Sequence, residues 1–565
     1  MPNPNYQKVL LLMPPYWDPL IPPQGIATIK RMLEKNNFNV KTIDLNIDSQ
    51  VKKCYEDYFD CIRIMIPESN WGNLYNIGHD VLQNHMLAFV NITDYDEYIA
   101  LVEEIVYHTF FIYPSREELI NLDEIIKNFF SYLKKYIDSI VKDFNPGVFG
   151  CTVNKTQFPA ALYMFKTVKE INSSILTCMG GGIFSDSMVV GSPNYENMLK
   201  YTESFIDKIV LGRGEILLLK ILNGEFENSK RVFSKADLSE SDVQKYKADI
   251  PDLSDFDLNY YLYVAATASF SCPFQCSFCT ASKYFGEYIK RDINIVVDDI
   301  SRIKSTYGKQ IFFMTDALLN PVVDDLSREL IRQKLYVYMD SYLRVDPGVN
   351  QQNTISWRKG GLYRVRLGVE SGSQRVLNIM GKSITIEQTR NTLKNLAIAG
   401  IKTTTYWVIG HPEETEEDFQ LTLDLISECK NYIYQAECNP FNYSYYGQVS
   451  SDKWASMQTL LYPEHGKKML SMLQTWVLNC EPTRDKTFDR IFRFTQHCKK
   501  IGLPNPYSLN EIYKADKRWQ GLHRNAVPAL YDIISNSVNH EEDRENVKLV
   551  QFVQTENENI VEFNF

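Results

Sequence analysis

Short apolar runs alternate along the chain with stretches of helical period. Residues 8–13 are predicted as a strand and are followed by a Pro-rich loop, 14–23. Residues 24–36 have helical period, with Ile26, Ile29, Met32 and Leu33 apolar, and 40–45 reads as a second strand. After a long insert come strands at 147–152, 175–179 and 206–211, interleaved with helices at 159–171 and 216–222. The fourth strand runs into Gly180-Gly181-Gly182 and the fifth into Gly212-Arg213-Gly214-Glu215. This alternation predicts a five-strand, doubly wound, Rossmann-like sheet, with any ligand beyond the carboxyl ends of the strands. The insert, 54–144, is rich in Tyr, Ile and Glu at helical spacing and is expected to lay helices over one side of this domain. His79 and His85 within it read as surface histidines.

The same alternation returns downstream. Strands are predicted at 263–269, 310–315, 335–340, 363–369, 402–409 and 432–438, with helices at 293–306, 322–334, 387–399 and 416–429. Six such units make a partial (β/α)6 barrel, whose chemistry collects at the carboxyl ends of its strands. The fold class is therefore α/β. A Rossmann-like domain spans 1–230 with its insert at 51–145. A connector occupies 231–262, the partial barrel 263–439, and a mostly helical domain 440–565. The last begins with an aromatic patch at 441–446 and ends in an acidic tail with an apolar stretch at 547–553.

Composition narrows the picture. The 565 residues are 44% hydrophobic and 23% charged, which excludes disorder and collagen. Lys and Arg number 60 against 70 Asp and Glu, a net charge of −10 with no basic block, so a nucleic-acid partner is not expected. No apolar run reaches the length of a membrane span and no signal core is visible, so a cytoplasmic protein without a membrane partner is expected.

Eleven cysteines, an odd count, argue against a disulfide framework. Three of them, Cys272, Cys276 and Cys279, form a Cys-x3-Cys-x2-Cys run. A structural zinc site needs a fourth ligand, and neither a histidine nor another cysteine lies nearby in sequence. Three thiolates suit an iron–sulfur cube with one iron left open. Cys429, Cys438, Cys480 and Cys498 match no motif and read as free thiols.

The cysteine run, with aromatic Phe278 before the third cysteine, resembles the signature of the radical S-adenosylmethionine (SAM) superfamily. The resemblance implies a 4Fe–4S cluster on Cys272, Cys276 and Cys279 whose open iron chelates SAM. One-electron reduction then gives methionine and a 5′-deoxyadenosyl radical. Gly368-Val369-Glu370-Ser371-Gly372-Ser373 and Gly410-His411-Pro412-Glu413-Glu414-Thr415 resemble segments of cobalamin-dependent and methylthiolating members. By that likeness Phe278, Asp316, Arg344, Glu370, Ser371, Val408, Gly410 and Glu413 are SAM neighbours. Two departures stand out: Tyr406 replaces the first glycine of the adenine-side pattern, and Met314-Thr315-Asp316 stands where a Gly-Gly-Glu often grips the SAM amino group. His411 reads either as a catalytic group or as a satisfied loop histidine. Glu416 and Glu417 read as first-turn acids after Thr415.

The amino-terminal domain resembles the cobalamin-binding domain that precedes the barrel in one radical SAM subfamily. The resemblance implies Tyr16, Cys151, Thr152, Asn154, Gly180, Gly181, Gly182, Gly212, Gly214 and Glu215 as cobalamin neighbours. The Asp-x-His-x-x-Gly motif is missing, so cobalamin is expected without a protein histidine ligand; the alternative is a domain that only scaffolds the barrel. The resulting expectation is a cobalamin-dependent radical SAM methyltransferase acting on an unactivated carbon of a small-molecule or peptidyl substrate. It needs a one-electron reductant such as flavodoxin or ferredoxin. The alternatives are a radical SAM enzyme catalysing cyclisation, rearrangement or epimerisation, and a non-catalytic iron–sulfur protein.

Overall fold

The computed structural model describes residues 4–565 apart from 69–70, 72, 186, 246–249, 464–469, 471, 507–508, 550, 554–560 and 564–565. The chain divides into two compact units, Met1–Leu262 with Asn442–Asn479, and Tyr263–Phe441 with Cys480–Phe565.

In the first unit, β1 (Lys8–Met13), α1 (Gln24–Lys35) and β2 (Asn39–Asp44) precede the insert, which folds as α2 (Ser49–Met65), α3 (Leu74–Asn91), α4 (Tyr95–Phe110) and α5 (Arg116–Phe144). Then follow β3 (Val148–Thr152), α6 (Phe158–Ile171), β4 (Leu176–Gly180), α7 (Pro193–Tyr201), β5 (Lys208–Val210), α8 (Glu215–Leu222), β6 (Val232–Phe233) and α9 (Glu240–Lys245). The strands lie in the order β2-β1-β3-β4-β5-β6. All pairs are parallel, Val9 facing both Val40 and Val148. Val9–Leu12 are buried because helices cover both faces of a parallel sheet. The sixth strand falls in the stretch read as a connector, where Val232 pairs with Ile209. Two residues carry no period by which to see it.

The insert helices are capped as their sequences dictate. Asp48 and Asp94 accept first-turn N–H groups, and Ser115 with Glu118 forms a capping box at α5. The two histidines are not at the surface. His85 is fully buried and His79 half-buried, both on inward faces of α3. Tyr58 Oη lies 3.0 Å from His85 Nδ1, His85 Nε2 lies 2.7 Å from Tyr98 Oη, and Tyr98 donates at 2.9 Å to Asp123. Tyr98 spends its proton on the carboxylate, so His85 Nε2 donates and Nδ1 accepts. His79 Nε2 lies 2.9 Å from Tyr55 Oη.

The second unit holds β7 (Val264–Ala266), β8 (Ser269–Phe270), α10 (Ala281–Phe285), β9 (Ile289–Lys290), α11 (Ile293–Tyr307), β10 (Ile311–Met314), α12 (Val323–Arg332), β11 (Tyr338–Arg344), α13 (Gln351–Gly360), β12 (Leu362–Glu370), α14 (Gln374–Ile379), α15 (Ile386–Ile398), β13 (Lys402–Ile409), α16 (Glu416–Cys429) and β14 (Gln435–Pro440). Six strands form one parallel sheet in the order β14-β13-β12-β11-β10-β7. The third strand of this barrel is shifted from the expected 335–340, so Ser341–Arg344 lies within it rather than beyond it. Its polar residues are stabilised from inside: Arg366 on β12 grips Asp340 with two bonds of 3.0 Å. α13 was not foreseen either.

The expected carboxyl-terminal domain is shared between the units. Asn442–Asn479, with an antiparallel pair of Gln458–Leu460 and Trp476–Leu478, belongs to the first. Helices Arg484–Lys500, Leu509–Leu522, Leu530–Ile534 and His540–Glu545 belong to the second. Among the described residues no helix is long and apolar enough to cross a membrane.

Candidate active site

The cysteine loop leaves the carboxyl end of β7 and is bracketed by the β8–β9 pair, Phe270 facing Ile289 and Ser269 facing Lys290. Ser271 turns the chain with a φ of +67° and donates at 2.6 Å to the Gly286 carbonyl. Asp316, beyond β10, accepts the Ala268 N–H at 3.1 Å and the Ser269 hydroxyl at 2.6 Å. Burial raises its carboxyl, and these bonds offset part of the rise. Both oxygens of Asp316 therefore hold the entry to the loop. Farther along, the Ser277 N–H donates to the Met380 carbonyl at 2.9 Å, tying the loop to the end of α14.

The three thiols are free and close enough to influence one another: Cys276 raises Cys272, and both raise Cys279. Burial is the larger cause at both Cys272 and Cys279. Each sulfur has a donor. The Phe274 N–H bonds to Cys272, the Ala281 N–H lies 3.4 Å from Cys279 Sγ, and Arg344 Nη1 lies 3.9 Å from Cys276 Sγ. Donors on sulfur favour thiolate and tune an iron–sulfur centre. Among the described residues no group of three or more His, Cys, Asp or Glu converges as ligands of a metal ion. Three cysteine thiols on one loop, each with a hydrogen-bond donor, are the ligand type that an iron–sulfur cube takes, and the donor set fits that group.

Two cations stand beside the loop. Arg344 ends β11, is 7% exposed, stacks 3.7 Å over the Phe274 ring and donates to the Lys382 carbonyl. Lys382 is buried, paired with Glu370, and 6.0 Å from the centroid of Phe278. Glu370 ends β12 with a φ of +72°, where the register shifts. Gly368 makes the pair fit, since a Cβ there would stand 2.5 Å from Glu370 Oε1 and 3.0 Å from Lys382 Nζ. Ser371 is buried, its Oγ accepting the Ser373 N–H at 3.1 Å.

The turn from β13 into α16 is similarly built. Gly410 has a φ of +80° and lies against Thr487, whose Oγ1 would be 2.2 Å from a Cβ. Val408, two residues earlier, is half-buried. His411 is fully buried; its Nδ1 donates to the Pro412 carbonyl at 2.9 Å, which leaves Nε2 to accept from the Ser277 hydroxyl at 3.3 Å. It thus joins this turn to the cysteine loop, with both ring nitrogens hydrogen-bonded. Glu413 is exposed with a φ of +73°, while Glu414 is buried and accepts the Gly410 N–H at 2.8 Å. Arg490 pairs with Glu414 at 2.9 Å. Thr415 and Asp418 form a capping box, and Glu416 pairs with Arg490 at 3.2 Å and with Arg493.

In the first unit, the residues singled out beyond the strands gather at the carboxyl edge of the sheet. Thr152 ends β3 and Asn154 follows it, Gly180 ends β4 and Gly181 and Gly182 follow it, and Gly212, Gly214 and Glu215 follow β5; all are half-buried except exposed Gly212. Gly181 and Gly182 lie tight against the β3 loop, where a Cβ would meet Val153 N at 2.3 Å and Asn154 Oδ1 at 2.4 Å. Gly212 borders open space with a φ of +77°. Tyr16 and Cys151 point into the core instead, Tyr16 lying 5.3 Å from Tyr55 and 5.2 Å from Phe129 between ring centroids. No histidine is among these residues. An open edge with small residues fits a large planar cofactor bound from one side.

Residues 268–426 match the Radical SAM superfamily. The chain carries a radical SAM domain. Over 340 residues it is 27% identical to the anaerobic magnesium-protoporphyrin IX monomethyl ester cyclase of Rubrivivax gelatinosus, covering 54% of this chain and 59% of that protein. It is 25% identical over 311 residues to an uncharacterized methyltransferase of Pyrococcus horikoshii, covering 51% and 65%. The chain thus spans only part of the length of these curated relatives. Among solved structures it resembles the radical SAM methyltransferase TsrM of Kitasatospora setae, with a TM-score of 0.58 and 14% identity over 96% of this chain and 98% of that one. That likeness is one of fold. This TsrM structure holds tryptophan substrate and a SAM analogue; another, at a TM-score of 0.54, holds cobalamin and a 4Fe–4S cluster.

Around the radical SAM domain's cysteine loop, Lys382, Glu414 and Arg490 are the residues that sequence reasoning missed. Lys382 had no local signal, because its partner lies 12 residues away across a helix. Glu414 had one, an acid adjacent to the acid that the family pattern selected.

Proposed function

We propose that the chain is a cobalamin-dependent radical SAM methyltransferase acting on a carbon of a small-molecule or peptidyl substrate. The observation that carries this reading is the cysteine loop at the carboxyl edge of a six-stranded parallel sheet, with a hydrogen-bond donor at each of its three sulfurs. When bound, the cluster supplies the electron that splits the S–C5′ bond of SAM into methionine and a hydrogen-abstracting carbon radical, and cobalamin supplies a methyl carrier.

The chain's own residues provide position and charge. Cys272, Cys276 and Cys279 would hold the cluster as thiolates. The Phe274 and Ala281 N–H groups and Arg344 offset the charge of the sulfurs. Asp316 fixes the strand entering the loop. Phe278, Glu370, Ser371, Val408, Gly410 and Glu413 are proposed to border SAM, with Glu414 fixing the Gly410 turn. On the first unit, Thr152, Asn154, Gly180, Gly181, Gly182, Gly212, Gly214 and Glu215 would border cobalamin, and no histidine is among them.

Anaerobic reconstitution tests this. Iron and sulfide are expected to bind together with a cobalamin absorbance. With a one-electron reductant, SAM should yield 5′-deoxyadenosine. The Cys272→Ala, Cys276→Ala, Cys279→Ala triple variant should lose both the iron and the cleavage while keeping cobalamin. A folded wild type that binds iron and yields no 5′-deoxyadenosine would leave the non-catalytic iron–sulfur reading. The cyclase relative favours a second outcome, ring formation; a product lacking the added mass of a methyl group would select it.

A further inference from the structure

The inner face of the barrel sheet is not filled as a mere scaffold would be. Strand register sets Phe313, Asp340, Arg364 and Lys402 at one level and Tyr342, Arg366, Thr404 and Gln435 at the next. Gly368, Tyr406 and Glu437 stand above them, toward the carboxyl ends. The aliphatic residues lie on the other face, where Val365, Leu367, Val369 and Ile409 are fully buried. Barrel interiors are ordinarily packed with branched aliphatic side chains. The two lower levels are almost wholly paired. Arg366 grips Asp340 twice at 3.0 Å and donates to Tyr406 Oη at 3.2 Å. Arg364 donates to Thr404 at 3.0 and 2.8 Å and to Gln435 Oε1 at 3.1 Å. Lys402 pairs with Asp516 at 2.5 Å. Gln435 is the exception: it is fully buried, and its Nε2 has no partner among the described residues. A buried donor left unmet is a cost that a ligand's acceptor would remove.

The upper level is open. Tyr342 is 37% exposed although β10 and β12 flank its strand, and Tyr406 and Glu437 are half-buried. The Tyr342 and Tyr406 rings lie 6.1 Å apart between centroids. Tyr406, which replaces a glycine of the family pattern, thus gives the opening its second ring. Glu437 accepts from Asn439 Nδ2 at 3.4 Å, and a carboxylate has further acceptor positions. Arg344, beside Cys276, and Glu370, paired with Lys382, follow Tyr342 and Gly368 by two residues on β11 and β12. The opening therefore lies one level below the residues beside the cysteine loop.

Charge and spacing select its occupant. Arg364, Arg366 and Lys402 are matched by Asp340, Glu437 and Asp516, three cations against three carboxylates. An ionised ligand would upset that balance inside the barrel, so the occupant is uncharged. Two rings favour a flat partner. Gln435 donates and Glu437 accepts, and two residues along β14 set them about 6.6 Å apart. The occupant therefore leads with an acceptor and carries an N–H behind it.

We propose that this opening seats the substrate, and that the substrate is an uncharged, flat nitrogen heterocycle whose carbonyl meets Gln435, whose ring N–H meets Glu437, and whose faces meet Tyr342 and Tyr406. That the occupant is the substrate rests on the radical SAM reading.

The probe is 4-quinolone, a flat ring with a carbonyl at one end and an N–H at the other. Its binding to the reconstituted full-length protein is read by titration calorimetry, with and without saturating SAM. N-methyl-4-quinolone lacks the donor and 4-quinolone-2-carboxylate carries a charge; each is expected to bind about tenfold more weakly. Glu437→Leu should abolish the preference for 4-quinolone over its N-methyl analogue. Gln435→Leu should weaken both by a similar factor, about fivefold. Tyr342→Leu changes a partly exposed side chain, so it is expected to fold and to keep its iron. It should weaken all three ligands about fivefold while preserving their order. No binding of 4-quinolone at about 5 mM, equal binding of the three rings, or an unchanged preference in a folded Glu437→Leu protein would overturn the assignment. So would displacement of 4-quinolone by SAM, since the opening would then hold the cofactor's adenine. These measurements need no turnover. Absence of 5′-deoxyadenosine from wild type with dithionite and SAM defeats the radical SAM reading, which is a separate result.

Discussion

Glu414 accepts the Gly410 N–H at 2.8 Å, so a buried carboxyl holds in place a glycine whose φ of +80° no ordinary side chain would favour. Burial pushes Glu414 up to about 7 from 4.5, against the pull of the Gly410 N–H and Arg490. A raised carboxyl keeps in the folded state a proton that the unfolded chain has already released. Its contribution to stability is therefore present below about pH 4.5 and is lost as pH rises through about 7. The change amounts to at most about 3 kcal/mol. Glu414→Gln keeps an acceptor for Gly410 in neutral form and should flatten this slope in urea unfolding between pH 5 and pH 8. Glu414→Ala removes the acceptor and one partner of Arg490, at a cost of about 3 kcal/mol.

Asp418, four residues on, works in the opposite sense. Burial would raise it, but bonds from Arg375, Ser373 and Thr415 outweigh burial and hold it well below the usual carboxylate range. Its contribution is present above the ordinary carboxylate value of 3.8 and is lost only as pH falls beneath that value. Asp418→Asn should therefore destabilise the protein at neutral pH and reduce its sensitivity to acid below pH 3.8, as read by denaturant midpoints at pH 7 and about pH 2.

Arg344 is expected to set the potential of the loop's metal group. It brings a positive charge and a donor within 3.9 Å of Cys276 Sγ and stacks on Phe274. Removing it withdraws support from the more negative, reduced state. Arg344→Ala should shift the reduction potential of the reconstituted protein downward by on the order of 50 mV. Arg344→Lys should fall between, keeping charge but losing the planar stack. Redox titration monitored by electron paramagnetic resonance checks this; an unchanged potential in Arg344→Ala would remove Arg344 from the site.

How far the sequence could be read depends on how local each signal was. The cysteine spacing and the apolar strands were legible because they need no partner to be recognised; residues 402–409 form β13 with the expected limits. β11 was displaced because Asp340 looks like a strand terminator until Arg366 is seen beside it. His85 looked like a surface residue because its two hydrogen-bonding partners, Tyr58 and Tyr98, and the Asp123 that Tyr98 bonds come from three other helices. Glu413 and Glu414 are equivalent acids in sequence. The left-handed backbone of Glu413 turns one outward and the other inward, and only coordinates contain that information.

The amino-end side of the barrel carries a separate structural load. Arg358 is 1% exposed and is held by Asp543 through bonds of 3.0 and 2.6 Å. Arg544, 5% exposed, donates to the Arg358 and Val337 carbonyls, and the nearby guanidinium of Arg358 adds to burial in lowering its pKa to about 10. Asp543 is thus the carboxylate balancing two buried cations. Asp543→Ala should cost about 3–5 kcal/mol in urea unfolding, with the metal content of whatever remains folded unchanged. Asp543→Asn, which keeps the shape, should recover only part of the loss.

His85 provides a last test, because it separates a structural imidazole from a cobalt ligand. Burial lowers it to about 3 from 6.5, so it is neutral in the folded protein while the unfolded chain is protonated below pH 6.5. A lowered histidine contributes stability that is present above pH 6.5 and is lost as pH falls toward 3. His85→Leu removes the acceptor of Tyr58 and the donor to Tyr98, while Tyr98 keeps its bond to Asp123. We expect destabilisation of about 1–3 kcal/mol at pH 7 and a shallower loss of stability between pH 7 and pH 4. Cobalamin content and its absorbance spectrum should match the wild type. A folded His85→Leu protein that no longer holds cobalamin, or whose spectrum changes as though an axial imidazole had been lost, would place this histidine at the cobalt and overturn the histidine-free reading of the first unit.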